Sequence, residues 1–592
     1  MGDRLMGKEQ ARSILVDTEG TCSAAEVYAA QQLVRYAKQA WGGGIVAEGE
    51  DGLRIRVGTA QRLKLADAPE GDGFVIRRDQ QGVVIAGGSP RGVLYGVFAF
   101  IERFMGVRFL TPDTEYIPHK APAPLPEKID IREQPAFAFR ENQWYEACMS
   151  GTDEQNADFA VKTANLGSMC ALDERHGGNV EYPGSHTFDT LCPAAEYFHE
   201  HPEYFALVDG ERRAGPFTAQ LCLTHPDVLA IVTENVRRDL RAHPEKKIVA
   251  VAQNDCYGYC ECPACAQIDA QEGSHAGTLI RFVNAVAEAI EAEFPDVIVD
   301  TLAYEYSRTA PAQTQPRHNV VVRICTIESC LSHPLRLCQE RNGNYAQTRD
   351  GKNGRFGLLN KDLADWGKIC THYNCWTYVT NFAHYMAPVP NLWVLADNMA
   401  FLKENGVTDL RLQGNRQSRS GEMGSLRAYL SAKLLWNPGR STDQILLEFC
   451  AGYYGMAAGP ILAYLRMVNR KAAAPDVHAG LYDAPWNAPY LAGDFLPRAE
   501  EYFRQARMLA DNETVLRRVE KAALSVEYVK ITRGFASMPR AEGRAALAAF
   551  IEKAKTFGIG YLREVGGDPD PDAVLEDNLH SILNSYYGSA AE

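Results

Sequence analysis

Between about residues 136 and 440, short apolar runs alternate with segments long enough for a helix, and this alternation limits the architecture more than any other feature. Strands are expected at AFAFREN (136–142), GSMCAL (167–172), KIVAVAQN (247–254), VIVDTLAY (297–304), NVVVRICTI (319–327), NCWTYVT (374–380) and DLRLQG (409–414). Segments with helical spacing, such as HAGTLIRFVNAVAEAIEAEF (275–294) and PNLWVLADNMAFLKENG (390–406), lie between them. Near-continuous apolar strands joined by crossover helices make a parallel sheet, because such strands are covered on both faces. Seven readable strands over this length point to an α/β fold, a (β/α)8 TIM barrel, with the eighth strand unplaced. The long polar stretch 180–245 reads as an elaborated loop over the barrel mouth.

Two further units flank this region. Residues 1–135 read as a small α/β domain. AAEVYAAQQLVRYAKQA (24–40) has helical spacing, LRIRVGT, GFVIRR and GVVIAGG read as strands, and RGVLYGVFAFIERFMGVRFLTP (91–112) reads as a helix followed by a strand. The Pro-rich APAPLPEK (121–128) marks the boundary. From 441 to 592 only helical periods remain, beginning at an N-cap offered by Ser441, Thr442 and Asp443, so a C-terminal α-helical domain is expected.

The chain of 592 residues is 46% hydrophobic and 23% charged, enough apolar material for a large core. Its net charge of −14 repels phosphate backbones and anionic lipid, so neither nucleic acid nor membrane is an expected partner. No run of ~18 uninterrupted apolar residues is present. MGDRLMGKEQARS lacks the apolar core of an export signal, and fifteen cysteines, an odd number, suit a reducing compartment. A cytoplasmic location follows, or a secreted or surface one if a leader precedes this sequence.

Barrel enzymes carry their reactive groups at the C-terminal ends of the strands. Those positions hold Arg140 and Asn142, Asp173 and Glu174, Asn254 and Asp255, Tyr304 and Glu305, Glu328, Trp376 and Tyr378, and Gln413 with Glu422 shortly after. Carboxylates, amides and aromatics at one mouth suit a sugar ring, and two carboxyl groups are what glycosidic cleavage requires. Glu328, Glu422, Asp255 and Glu305 are the catalytic candidates; Arg140, His186, Asn254, Tyr304, Trp376, Tyr378, His384 and Gln413 are the substrate-binding ones. Each has a bland reading as well. A carboxylate after a strand can be a helix cap or a surface ion partner, and Trp376 and Tyr378, two apart on one face, can be core. No GxSxG, HExxH or phosphate-loop pattern competes.

Cys256, Cys260, Cys262 and Cys265 fall within ten residues. Four thiolates this close can wrap a structural zinc, although zinc sites more often draw on two separated pairs, and free thiols or a local disulfide are the alternatives. A closed four-sulfur site leaves no position for substrate, so no cofactor is expected in catalysis.

HTFDTLCP…HPEYFALVDGERR, AQNDCYGYCECPAC, TLAYEYSRTAP, VVVRICTIESCLSHPL, WTYVTNFAHYMAPVPNL and LRAYLSAKLLWNP together resemble bacterial proteins grouped as glycoside hydrolase family 163. The N-terminal unit resembles the small α/β domain preceding the barrel in several hexosaminidase and α-glucuronidase families. The resemblance implies a retaining endo-β-N-acetylglucosaminidase acting on complex N-glycans or the glycoproteins that carry them, with Glu328 and Glu422 as acid/base and nucleophile. Asp255 or Glu305 can replace either, and Asp173–Glu174 is the adjacent pair a substrate-assisted route would use. An exo-acting hexosaminidase or α-glucuronidase, and a non-catalytic glycan-binding protein, are the alternatives.

Overall fold

A computed structural model describes residues 14–17, 22–41, 53–80, 82–118, 125–166, 169–338, 358–566 and 571–588. Its centre is a curled, six-stranded parallel sheet. Ile248–Ala250, Ile298–Ala303, Val320–Cys325, His372–Tyr378 and Asp409–Gln413 lie side by side in chain order, and Phe139–Gln143 closes the series against Asp409–Gln413. The first strand therefore returns beside the last, the order of a barrel. The sheet describes a half-barrel, however, and six strands stand among the described residues where eight were expected.

The GSMCAL segment forms no strand at its described residues. Its Leu172 N–H bonds to the Asn179 side chain, a local loop contact, and not to a ladder. The opening between the strands that begin at Phe139 and Ile248 is bridged by single contacts: Leu166 N–H to the Arg140 carbonyl, and the Thr187 and Phe188 N–H groups to the Ala252 carbonyl. The 180–245 stretch is also more ordered than a loop. It holds a short hairpin at Leu207–Val208 and Glu211–Arg212 and the helix Pro226–Ala242, which buries Val228, Val232, Val236 and Leu240. The i, i+4 spacing of those four gives one apolar stripe on an otherwise charged helix.

Crossover helices cover the sheet. Ala276–Glu291 buries Leu279, Ile280, Phe282, Val283, Val286 and Ile290, each worth ~1.5–3 kcal/mol of removed apolar surface. The N-terminal region forms a mixed five-stranded sheet, ordered Ile14–Asp17, Leu53–Thr59, Gly82–Gly87, Phe74–Asp79 and Asp130–Glu133, with helices Ala24–Trp41 and Pro90–Phe100 packed on it. Residues 121–124 of the Pro-rich boundary lie outside the described residues.

After Trp436 the described elements are all helical: Thr442–Tyr454, Ala458–Ala472, Phe495–Leu509, Glu513–Gly534, Arg540–Lys555 and Pro571–Tyr587, with short 3-10 turns. Ser441 caps the first by accepting the Gln444 N–H. Thr442–Ala472 is long and apolar enough, by length and composition, to cross a membrane. Its Ile445, Phe449, Ile461 and Leu465 are buried in the same apolar cluster that runs through both sheets.

Candidate active site

A cavity of about 400 Å3 opens at the C-terminal ends of the strands. The ladder registers align Tyr378 with Gln413 and Gln413 with Gln143, so three adjacent strands present side chains at one level. All three line the cavity, together with Tyr304, Cys325, Trp376, Arg411 and, from beyond the strands, Ser185, His186, Asp255, Ile327, Arg416, Tyr482 and Glu564. Trp376 and Tyr378 project to the same side because strand side chains alternate. Their rings stack with centroids 6.1 Å apart and planes 16° apart, and the Arg411 guanidinium lies over the Trp376 ring at 4.7 Å, so this side of the cavity is aromatic.

The two acids of this cavity are Asp255 and Glu564. The Tyr304 hydroxyl donates to Asp255 Oδ1 at 3.2 Å. The Gln413 amide donates to Glu564 Oε1 at 2.8 Å while its own oxygen accepts the Trp376 indole N–H at 2.8 Å. That chain ties the aromatic wall to the acid. Burial raises the Glu564 carboxyl above the usual carboxylate range, and the Asp255 charge adds to the rise against the opposing pull of Arg416 and the Gln413 bond. Two acids in one cavity, one of them kept protonated to higher pH, is the arrangement acid/base chemistry uses. His186 holds φ at 57° and anchors Nδ1 on the Gln253 carbonyl at 3.0 Å, so its ring reaches the cavity from a constrained backbone.

Of the residues expected from the sequence, the cavity brings together Asp255, His186, Tyr304, Trp376, Tyr378 and Gln413. The others lie elsewhere. Glu328 is buried against Arg308 at 3.1 Å, and Arg308 also holds Asp362 at 2.8 Å. Glu422 is buried in an ion pair with Arg427 at 2.5 Å, beneath the helical region where Tyr464 approaches it. Neither lines the cavity, so the expected pair of Glu328 and Glu422 is not assembled there. Glu305 is fully buried at φ 51° and does not line the cavity either.

Arg140 points away, pairing with Asp72 at 2.9 Å and lying over the Trp436 ring. Asn254 braces a loop: its side chain accepts the Asp189 N–H and donates to the Ala219 carbonyl. His384 is buried against the Tyr528 hydroxyl at 2.7 Å, and burial lowers its pKa to about 3. Asp173 caps the turn Glu174–His176 through the Arg175 and His176 N–H groups, so Asp173–Glu174 forms an exposed turn outside the cavity lining. Sequence reasoning missed Glu564, which follows no strand and belongs to the turn after helix Arg540–Lys555.

The cysteine group also differs from expectation. Cys260, Cys262 and Cys265 join Cys222, not Cys256, and the four sulfurs lie within 4.8 Å of one another, all buried. Cys256 instead accepts from the Gln220 amide at 3.3 Å. Cys222 and Cys262 stand 3.7 Å apart, too far for a ~2 Å disulfide bond and near the ~3.8 Å edge of a tetrahedral zinc–thiolate site. The Leu207 N–H and the Arg212 guanidinium both point to Cys260 Sγ, as groups that support a thiolate do.

The fold has its structural neighbours among glycoside hydrolases. One is a family GH115 4-O-methyl-α-glucuronidase, BtGH115A, with specificity for decorated arabinogalactans. It matches over 98% of this chain and 80% of its own, at 11% identity and a TM-score of 0.56. Flavobacterium johnsoniae chitobiase, FjGH20, matches over 91% and 92% at 11% identity and a TM-score of 0.40. A GH138 enzyme targeting pectin rhamnogalacturonan II matches over 97% and 99% at 10% identity and a TM-score of 0.42. No curated protein matches the sequence. The family itself is fixed by sequence: residues 109–466 match the domain of unknown function DUF4838, and the chain belongs to that family.

Proposed function

We propose that the protein is a glycoside hydrolase whose carboxylate pair is Glu564 and Asp255. The observation that carries this reading is the convergence of those two acids on a cavity walled by stacked Trp376 and Tyr378. Glu564, protonated to higher pH than an ordinary carboxyl, donates its proton to the leaving-group oxygen. Asp255, held by the Tyr304 hydroxyl, attacks the anomeric carbon from the other side as the nucleophile, and water deprotonated by the Glu564 carboxylate then releases the glycosyl group from it. Gln413 orients Glu564, and the aromatic wall sets the plane of the ring. These steps call on side chains alone; the Cys222, Cys260, Cys262 and Cys265 group is assigned a structural zinc that stiffens the loop after Asp255.

The substrate reading follows the sequence motifs: a β-N-acetylglucosaminide of the N-glycan type, cleaved with retention by the family 163 resemblance. A second reading, an acidic sugar such as a glucuronide, is favoured by Arg411 and Arg416, two guanidinium groups on the cavity wall. Incubation with released complex N-glycans and with aryl glycosides of N-acetylglucosamine and glucuronic acid separates the two. The leading reading expects an internal GlcNAc–GlcNAc cleavage with retained anomeric configuration in the product. Release of glucuronic acid alone would transfer the assignment to the second reading, and no hydrolysis of any of them would remove both.

A further inference from the structure

We propose a second structural zinc site, formed by Cys330, His333, Cys338 and His478, that clamps one wall of the candidate active site. Their ligand atoms all lie within 4.8 Å of one another. Cys330 Sγ stands 3.7 Å from His333 Nδ1 and 3.5 Å from His478 Nδ1, and Cys338 Sγ stands 3.6 Å from His478 Nδ1. Zinc–sulfur bonds of ~2.3 Å and zinc–nitrogen bonds of ~2.0 Å at tetrahedral angles put sulfur and nitrogen ~3.5 Å apart. The three sulfur–nitrogen distances match the edges of a Cys2His2 tetrahedron.

The surroundings point the same way. His333 Nε2 lies 3.1 Å from the Ala474 carbonyl, so the proton belongs on Nε2 and the Nδ1 lone pair is left facing the sulfurs. A ligating histidine is ordinarily fixed through its second nitrogen in this manner. Three ligands come from one loop, spaced C-x2-H-x4-C, and the fourth from a distant segment. That division is typical of structural zinc sites, which join elements the fold alone holds loosely.

Among the described residues the two segments also meet through Leu331 N–H to the Ala479 carbonyl at 2.7 Å and Ser332 Oγ–H to the Val477 carbonyl at 2.8 Å. Just outside the ligands lie Ile327 on one side and Tyr482 on the other, both lining the 400 Å3 cavity. An ion here fixes the distance between the loop after strand Val320–Cys325 and the segment that carries Tyr482. The inference does not rest on the glycosidase reading.

The test is zinc content per chain, measured by elemental analysis on the purified full-length protein and on two variants. The wild type is expected to carry two zinc ions. Changing Cys260 and Cys265 to Ser removes the four-thiol group and leaves one; changing Cys330→Ser and His478→Ala also leaves one. A Cys260→Ser/Cys265→Ser protein without zinc, or a Cys330→Ser/His478→Ala protein with the full wild-type content, would overturn the proposal. If a variant does not fold, anomalous diffraction at the zinc edge on wild-type crystals decides the matter. A peak between Cys330 and His478 supports the site, and no peak there rejects it.

Discussion

Glu564 and Glu422 show why a buried carboxylate needs its partners named before it is given a role. Glu422 faces Arg427 inside the protein, and Glu328 faces Arg308. Removing one member of such a pair leaves the other charge buried, at ~3–5 kcal/mol. Glu422→Gln is therefore expected to lower the melting temperature markedly while the folded fraction keeps its turnover, read by calorimetry alongside initial rates. Glu564→Gln should do the reverse. Its carboxyl is raised in the folded state, so its stabilising contribution is complete below the ordinary carboxylate range and is lost as pH rises through the raised value. The amide removes that loss, and stability near neutral pH should hold or rise. Turnover should fall ~100- to 10,000-fold. In the wild type, activity should decline as pH rises through the Glu564 titration, because the proton donor is lost, and the pH–rate profile of the variant should lack that limb. The sequence showed Glu328 and Glu422 as acids near predicted strand ends, but a paired arginine is invisible in one dimension. Glu564 carried no such signal, since it sits in a turn between helices.

At the scale of elements, the strand pattern was legible wherever the apolar run was flanked by a crossover helix. Six of the seven expected strands form, with ends shifted by up to four residues. At its described residues, 169–172, the GSMCAL segment forms no strand, and the Leu172 N–H is taken by the Asn179 side chain. Helix Ala458–Ala472 falls within the helical region expected from 441 to 592, and Gly455 and a 3-10 turn separate it from its predecessor. The alternation of strand side chains did locate the aromatic wall. Trp376→Ala should raise KM ~10-fold through lost stacking, with a smaller change in kcat. A matching loss in Trp376→Phe, measured by steady-state kinetics, would indicate that the indole bond to Gln413, not the ring face, is the main contribution.

Across the whole molecule, the candidate site is a product of the fold joining distant segments. Gln413 and Glu564 are 151 residues apart and meet at 2.8 Å. Cys222 and Cys262 are 40 residues apart and meet at 3.7 Å. Local spacing could suggest three of the four thiols, but the hairpin and helix between residues 207 and 242 bring the fourth. The same holds for His478 and the loop of Cys330. Zinc removal by a strong chelator is expected to lower the melting temperature of the wild type and to raise KM through the loosened wall at Ile327 and Tyr482, with restoration on adding zinc back.

The most direct measurement is the turnover of released N-glycans and aryl glycosides by wild type, Asp255→Asn and Glu564→Gln, each checked for folding by circular dichroism. The two substitutions should lower hydrolysis by ~100-fold or more in proteins that remain folded and still bind the glycan. Wild-type rates in a folded Glu564→Gln or Asp255→Asn protein would contradict the assignment of the pair.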